Sequence, residues 1–452
     1  MAGKNRLRRH WEIIHPDSAG IDVGSREMMW VAIPADREGE TVRRFGMFTD
    51  DLEAIREWLR AERITTVAME STGVYWIPLY DVLASAGVEV CLVNPRELKS
   101  VPGRKSDLKD CQWLQELHAF GLLRASFRPD DQACRVRSLV RQRQELIDAA
   151  ARQVQLMQKA MIQMNVRLTE VVADITGKTG MGIIRAILSG ERSPQTLVEF
   201  RDRRCKYDAD TFGRALVGTW RSEHLLALSH AVTLWDTYQR LIGETEAAIK
   251  RAVDARPSSA QAGHADDGER TPRRKSKSDY TVDIVASWKQ TSEVDLTEID
   301  GISDSTASII MAEVGLNIDR FETPGRFASW LGLCPAHDIS GGKVLRRRTR
   351  SCANRVSKAL RLAAQAAGRT ETALGAFCWR IAARAGKPVA ITTTAHKLTR
   401  IVWTMLTKGA AYIRASAASA EERYRQRQIH SLITRARSFG LQVTCPVPSE
   451  AS

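Results

Sequence analysis

The chain has 452 residues, more than one hydrophobic core usually supports, so we expect at least two domains. Lys and Arg number 67 against 53 Asp and Glu, a net charge of +14, and 43% of the residues are hydrophobic. The basic excess predicts a polyanionic partner, with nucleic acid as the first candidate and a membrane surface or plain solvation as the alternatives.

The eight cysteines are scattered and include no CxxC pair. This pattern disfavours a zinc site or a redox centre and is typical of reduced thiols in a cytoplasmic protein. The basic N-terminal segment lacks the apolar stretch of a signal peptide, and the sequence has no run of about 18 apolar residues. We therefore expect a cytoplasmic protein that does not interact with a membrane.

The first part of the chain alternates between short apolar runs and amphipathic stretches. Residues 19–34 predict two strands around a turn, and a helix with Asp50 as its N-cap follows. Next come a buried strand, a helix ended by Gly87, another buried strand and a final helix. Strands that alternate with helices predict an α/β domain over residues 18–128.

Residues 129–255 change to a seven-residue apolar period. Two complementary lines, interrupted only by Arg143, consist of Val140, Ile147, Val154, Met161 and Leu168, and of Val136, Ala150, Met157, Met164 and Val171. A weaker line, in which Glu246 and Gln239 intrude, consists of Leu228, Trp235, Ile242 and Ile249. The pattern predicts long coiled-coil helices, paired as a hairpin or between chains, with a small helical insertion at about residues 173–221.

The second half of the chain begins with a change in composition. Residues 256–290 are polar and rich in Ser, Pro and charge, which is typical of a disordered linker. Residues 291–415 predict a mainly α-helical domain, followed by a polar tail over residues 416–452. One helix from Asn354 to about Ala367 is expected to bury a single face, formed by Val356, Leu360, Ala363 and Ala367.

Four carboxylates in the N-terminal domain form a candidate site. Asp22 lies within a strand, Glu70 ends another, and Asp107 and Asp110 are three residues apart on a helix and share a face. Carboxylates at strand ends of an α/β sheet commonly meet in one crevice, where magnesium ions relieve their repulsion and support phosphoryl transfer. The alternative is that these acids are isolated turn and surface residues. Asp22 and Glu70 argue against it, because they interrupt otherwise apolar strands, where a carboxylate without a partner is costly.

The segment around Ser340 is strongly basic and contains no acidic residue from Ser340 to Thr370. The cations that we expect to bind nucleic-acid phosphates are Lys343, Arg346, Arg347, Arg348, Arg350, Arg355 and Lys358. Gly341 and Gly342 let the backbone approach a phosphate, although the spacing of a nucleotide-binding P-loop is absent. Ser340 by itself is either a turn residue or a nucleophile, because a serine hydroxyl needs a base or a metal to activate it.

Six segments occur in an order that resembles the IS one-ten (IS110) family of insertion-sequence transposases: GIDVGS, AMESTGVYW, VNPRELKSVPGRKSDLKD, IDGISDSTASIIMAEVG, FASWLGLCP and ISGGK. The resemblance covers about residues 18–160 and 295–410. It implies a RuvC-like, RNase H-type N-terminal domain and a C-terminal transposase domain with a serine, which matches Ser340. The magnesium-binding DEDD acids that it implies are Asp22, Glu70, Asp107 and Asp110.

The resemblance also implies a reaction and partners. The serine attacks a DNA phosphodiester and forms a transient phosphoserine link, while the metal-bound carboxylates activate it. A bridge RNA pairs with donor and target DNA, and the protein works as a homotetramer with composite sites. We therefore expect an RNA-guided DNA transposase. Two other hypotheses stay open: a RuvC-like DNA nuclease that uses the acids alone, and a non-catalytic nucleic-acid-binding scaffold.

Overall fold

The computed structural model describes residues 12–24, 28–71, 73–95, 107–256, 279–316, 318–349, 352 and 354–441. The chain divides into two compact units between Arg128 and Pro129. Each unit has its own buried core.

The N-terminal unit is a five-stranded sheet with helices on both faces. Its elements are β1 (Ser18–Val23), β2 (Met29–Ala32), β3 (Val42–Phe45), α1 (Thr49–Ala61), β4 (Thr66–Glu70), α2 (Trp76–Ser85), β5 (Glu89–Val93) and α3 (Asp107–Ala119). The strand order is β3-β2-β1-β4-β5, in which β1 pairs antiparallel with β2 and parallel with β4. The prediction of a mixed α/β N-terminal domain is confirmed.

The two faces of this sheet are packed differently. Ile21, Val67 and Met69 are fully buried on one face, beneath apolar residues of α1 and α2. On the other face, Leu114 of α3 packs against Ala68 in a much smaller cluster. The larger core lies under α1 and α2, which leaves the α3 face free to carry polar groups.

The start of α1 differs from the prediction. The N-cap is Phe48 rather than Asp50, and the carboxylate of Asp51 accepts a hydrogen bond from the backbone N–H of Phe48 at 3.0 Å. An acid at the third helical position stabilises a helix start in this way, and Asp50 lies in the first turn. Strand β3 was not predicted because its sequence, VRRF, has little apolar character.

In the C-terminal unit, the described residues form helices and one β-hairpin. The elements are α4 (Asp131–Gln163), α5 (Leu168–Val171), α6 (Lys178–Leu188), α7 (Pro194–Val198), α8 (Ala209–Ala215), α9 (Ser222–Asp254), α10 (Ile284–Ser292), α11 (Asp304–Val314), α12 (Pro324–Trp330), β6 (Pro335–Ser340), β7 (Lys343–Thr349), α13 (Arg355–Ala367), α14 (Ala373–Ala385) and α15 (Lys387–Ser438). None of the helices among the described residues is both long and apolar enough to cross a membrane.

Helices α4 and α9 pack against each other as an antiparallel hairpin within one chain. The N-terminal half of α4 contacts the C-terminal half of α9, where Arg143 meets Glu246. The opposite ends share a core with the small helices between them, in which Met157, Phe212 and Leu228 are buried. The seven-residue period therefore serves contacts inside one chain.

The heptad prediction is wrong at its C-terminal end. Helix α4 ends at Gln163, and Asn165 has a positive φ of 58°, so the chain turns there. Leu168 and Val171 belong to the separate short helix α5 and are nevertheless buried. The apolar period continues past the helix end because α5 packs on the same core.

The two charged residues that interrupt the heptad lines contact each other. The side chains of Arg143 and Glu246 are 4% and 1% exposed, and their closest nitrogen–oxygen distance is 2.7 Å. The guanidinium carbon of Arg143 lies 3.8 Å from the centroid of the Tyr280 ring. The backbone N–H and the hydroxyl of Thr281 both donate to Glu246 Oε2, the former at 2.8 Å. This buried network fixes the helix hairpin to the segment that begins at residue 279.

The predicted linker over residues 256–290 is wrong for its last part, while residues 257–278 lie outside the described residues. Tyr280 is buried against Arg143, and α10 begins at Ile284. Ile284 and Trp288 are buried in the unit. The apolar residues from Tyr280 to Trp288 are closely spaced, so the polar composition of the preceding stretch does not extend to this part of the predicted linker.

The C-terminal helices attach to α4 through a second set of charges. The carboxylate of Glu313 on α11 accepts hydrogen bonds from Arg141 Nε and Nη2 at 2.8 and 2.7 Å, and Arg137 Nη2 donates to its backbone carbonyl at 2.7 Å. The predicted buried face of α13 is confirmed: Val356, Leu360, Ala363 and Ala367 are all buried. Helix α15 continues to Ser438, with a break in helical geometry at Gly409, so part of the predicted polar tail is helical.

Glu246→Gln should lower the free energy of unfolding by about 3 kcal/mol or more, because it leaves the buried guanidinium of Arg143 without a counterion. Chemical denaturation of the full-length protein measures this change. Glu244→Gln is the matched control on the same helix, since its exposed pair with Arg240 contributes less than about 1 kcal/mol. Combining Arg143→Met with Glu246→Leu should recover most of the loss, and a double variant as unstable as Glu246→Gln would contradict this account.

Acid should destabilise the N-terminal unit through His118, whose Nε2 lies 2.9 Å from Thr66 Oγ1. Burial, and secondarily the nearby His15, lowers the pKa of His118 to about 4. An imidazole in the unfolded chain has a pKa near 6.5. The contribution of neutral His118 to the free energy of unfolding is therefore complete above about pH 6.5, and about 3 kcal/mol of it is lost as the pH falls towards 4. Urea denaturation between pH 7 and pH 4.5 should show a shallower decline for His118→Gln, and the same decline as wild type for the exposed control His230→Gln.

Candidate functional site

The strand register places Asp22 and Glu70 beside each other. Strands β1 and β4 run parallel with Ile21 opposite Met69, so Asp22 and Glu70 are the next residues along the two strands. Side chains alternate between the faces of a sheet, which puts both acids on the same face as Gly20, the face covered by α3. Both acids are half-buried.

Helix α3 packs directly on β1 at Gly20. A Cβ atom at this position would lie 2.3 Å from the carbonyl oxygen of Cys111 and 2.3 Å from the backbone nitrogen of Gln115. Only glycine allows so close an approach of two backbones. The contact brings the helix that begins at Asp107 against the strand that contains Asp22.

The negative charges of two of the four acids act on the thiol of Cys111. Cys111 is fully buried between α3 and the sheet. Burial raises the pKa of its thiol to about 12, and the negative charges of Asp22 and, to a lesser extent, Asp110 add to this shift. The two carboxylates therefore act on one position from β1 and from α3, and Cys111 stays a neutral thiol.

The structure describes the side chains of three of the four predicted metal ligands. Asp22 and Glu70 share one face of the sheet, and the exposed Asp110 lies on the helix that covers it. The structure gives Asp107 as the first residue of α3 and does not describe its side chain. Among the described side chains, no three acidic, His or Cys groups form a metal-binding cluster. The oxygen donors are of the type that magnesium prefers, but the described ones do not complete a site.

Ser340 lies at the tip of the hairpin formed by β6 and β7. It is the last residue of β6, and the turn that follows consists of Gly341 and Gly342 with φ of 56° and 76°, as in a two-residue hairpin turn. Across this turn, Ser340 pairs with Lys343, and both residues are exposed. Directly opposite residues on an antiparallel ladder have neighbouring side chains, so the hydroxyl has a cationic neighbour.

The predicted phosphate-binding residues are exposed wherever the structure describes their side chains, namely at Lys343, Arg346, Arg355 and Lys358. Arg347 and Arg348 are placed in β7 by their backbone alone, and Arg350 lies outside the described residues. Val344 and Leu345 are also exposed, the latter by 70%. The described part of the hairpin tip therefore projects from the core of the unit.

Sequence reasoning missed three features of these sites. It did not find the hairpin, although a Gly-Gly pair between extended residues is a hairpin signal. It did not single out Gly20, although a glycine inside an apolar strand often marks the close approach of another backbone. The pairing of Ser340 with Lys343 follows only once the length of the turn is known.

Two family models match the chain, and both describe transposases. A transposase model of the IS110 DEDD type matches residues 19–166, and the model of the Transposase IS116/IS110/IS902 family matches residues 295–378. The first match includes all four candidate acids and the second includes Ser340. The protein is therefore a transposase of an insertion sequence. Within that class, the chain belongs to the IS110 family. No curated protein matches the chain.

Gly20→Ala should destabilise the N-terminal unit by about 3 kcal/mol, because the new methyl group meets backbone atoms that cannot rotate away. Thermal unfolding of the full-length protein measures the effect. Gly243→Ala is the control, since a Cβ at this helical position meets nothing within 4 Å and should stabilise the protein slightly. Equal stability of Gly20→Ala and wild type would show that α3 does not press on β1 as described.

Proposed function

We propose that this transposase cleaves and rejoins DNA by phosphoryl transfer, with Ser340 as the nucleophile, guided by a bridge RNA. The observation that carries the proposal is the exposed hairpin tip, where Ser340 stands opposite Lys343 next to a turn of two glycines. A serine in this position is accessible to a DNA strand. The segment from Ser340 to Thr370 contains basic residues that neutralise phosphates and no acid that would repel them.

In the proposed reaction, Ser340 Oγ attacks the phosphorus of a DNA phosphodiester. The serine hydroxyl gives up its proton to solvent as the Oγ–phosphorus bond forms. The bond from phosphorus to one deoxyribose oxygen breaks, and that oxygen takes up a proton from solvent and leaves as a hydroxyl. The reverse attack by a hydroxyl of another strand releases Ser340 and completes the exchange. The ammonium group of Lys343 favours the negative charge that develops on the phosphoryl oxygens.

We propose that the N-terminal unit is a RuvC-like, RNase H-type domain. Its strand order, β3-β2-β1-β4-β5 with an antiparallel first half and a parallel second half, supports this assignment. Asp22, Glu70, Asp107 and Asp110 would hold magnesium, which would supply activation of the serine and stabilisation of the leaving oxygen. The shared face of Asp22 and Glu70 and the packing of α3 on Gly20 support this grouping.

We further propose that the protein acts as a tetramer in which the acids of one chain work with Ser340 of another. Apolar side chains that are exposed on the long helices support contacts between chains, including Leu156 on α4 and Ile429 and Leu432 on α15. Coiled-coil pairing of such helices is one way to bury them. The net charge of +14 supports simultaneous binding of DNA and a bridge RNA.

Ser340→Ala should abolish a covalent protein–DNA adduct, because alanine has no hydroxyl group to attack the phosphorus. The protein is incubated with its bridge RNA, magnesium and DNA that contains the joined ends of the element. The reaction is stopped in denaturant, and the products are resolved on a gel. Asp22→Ala should abolish the adduct and cleavage together. Ser438→Ala removes an exposed serine elsewhere and should leave the adduct unchanged.

The competing functions give different results in the same reaction. Unchanged cleavage by Ser340→Ala would support a nuclease that uses the acids alone and would refute the serine mechanism. Nucleic-acid binding without cleavage by the wild-type protein, unaffected by either substitution, would support a non-catalytic scaffold. Omitting the bridge RNA tests guidance, since an equal yield of adduct at the same site would contradict it.

A further inference from the structure

A second basic surface lies on α14 and α15, next to the end of the segment that the second family model matches. That match ends at residue 378, and Trp379 follows directly. Between Glu371 and Glu421 the sequence contains no acidic residue. Its cations in this interval are Arg380, Arg384, Lys387, Lys397, Arg400, Lys408 and Arg414. Such a one-sided charge distribution attracts polyanions to the surface.

The exposed side of α14 presents an aromatic ring among these cations. Trp379 is 64% exposed, which is unusual for so large an apolar side chain. Arg380 and Arg384 are exposed, and their separation of four residues places them on one face beside the ring. Ala376 and Ala383, about one turn before and after Trp379, are exposed and small. These five residues are called the Trp379 face, and a planar group can approach its ring over the alanines.

The side of α14 opposite the Trp379 face is closely packed. Leu374 and Cys378 are buried on its opposite side. A Cβ atom at Gly375 would lie 2.0 Å from the carbonyl oxygen of Thr370, so the helix packs against the preceding backbone as closely as glycine permits. The Trp379 face is therefore preorganised, which reduces the entropy that a ligand must offset when it binds.

The local potential at the Trp379 face is positive. The ammonium group of Lys397 on α15 lies 4.4 Å from the centroid of the Phe377 ring on α14. Burial, and secondarily the positive charge of Arg380, lowers the pKa of Lys397. An anion bound beside Arg380 relieves this repulsion.

We propose that the Trp379 face binds single-stranded nucleic acid, with the indole ring stacked on an unpaired base and with Arg380 and Arg384 contacting the adjacent phosphates. Aromatic rings stack on every base, and cations beside them track the backbone. A protein partner would instead have to bury two guanidinium groups, which is costly unless it supplies matching acids. The inference rests on the proposed function, since it assigns a place to part of the nucleic acid that the reaction uses.

Substitutions at Trp379 test the stacking. Full-length protein carrying Ser340→Ala is titrated into fluorescently labelled oligouridylate, oligothymidylate or a DNA duplex, and anisotropy gives the dissociation constants. Trp379→Ala should weaken binding of the single strands by about 5- to 100-fold and leave duplex binding unchanged. Trp379→Phe retains a ring and should stay within about threefold of the parent, whereas Trp379→Leu should lose as much as Trp379→Ala.

The arginines are tested by salt dependence. Arg380→Gln together with Arg384→Gln should reduce the slope of log affinity against log salt for single strands by about 1.4, about 0.7 for each lost contact. Arg240→Gln together with Arg326→Gln is the matched control, because these two exposed arginines pair with Glu244 and Glu322 and should leave the slope unchanged.

Three results would overturn the inference. Retained binding of single strands by Trp379→Leu would show that an apolar contact is sufficient and that no base stacks on the ring. An equal loss on the duplex would exclude stacking on an unpaired base, and unchanged binding by Trp379→Ala would remove the site. The two single strands distinguish an RNA ligand from a displaced DNA strand. Because binding is measured without Ser340, its outcome is independent of whether Ser340 forms an adduct.

Discussion

The buried pair of Arg143 and Glu246 is the interaction on which the C-terminal unit depends. Removing each charge from water costs several kcal/mol, so neither is tolerated in the core without the other. The pair fixes one register of α4 against α9. The guanidinium of Arg143 also contacts the ring of Tyr280, and the carboxylate of Glu246 also accepts a hydrogen bond from Thr281. The helices that follow, including those beside the Ser340 hairpin, are thereby attached to the long helix hairpin.

The N-terminal unit uses a different constraint for a similar purpose. At Gly20 two backbones touch, so the distance between α3 and β1 is set by the absence of a side chain. Asp22 and Glu70 lie half-buried on the face of the sheet that α3 covers, where two like charges repel each other. The large apolar core on the other face of the sheet offsets this cost.

The sequence predicted the structure correctly where the cause of an apolar pattern lies within the helix or strand that carries it. The apolar face of α13 follows from the spacing of Val356 and Leu360, and the alternation of strands and helices gave the α/β class. It failed where the cause lies far away along the chain. Arg143 and Glu246 are 103 residues apart, so each looked like a defect in a heptad line until their contact was seen. The adjacency of Asp22 and Glu70 likewise depends on a strand register that neither segment specifies alone.

The turn of Gly341 and Gly342 makes the position of Ser340 sensitive to the length of the loop. Both turn residues have left-handed backbone angles that few other residues adopt, so Ser340 and Lys343 meet directly across the turn, before the register shifts between Asp338 and Ile339. Inserting or deleting one residue would slip the ladder and turn the serine hydroxyl to the opposite side of the hairpin. We therefore expect evolution to tolerate changes in the exposed strand residues Val344 and Leu345 far more readily than any change in the number of residues between Ser340 and Lys343.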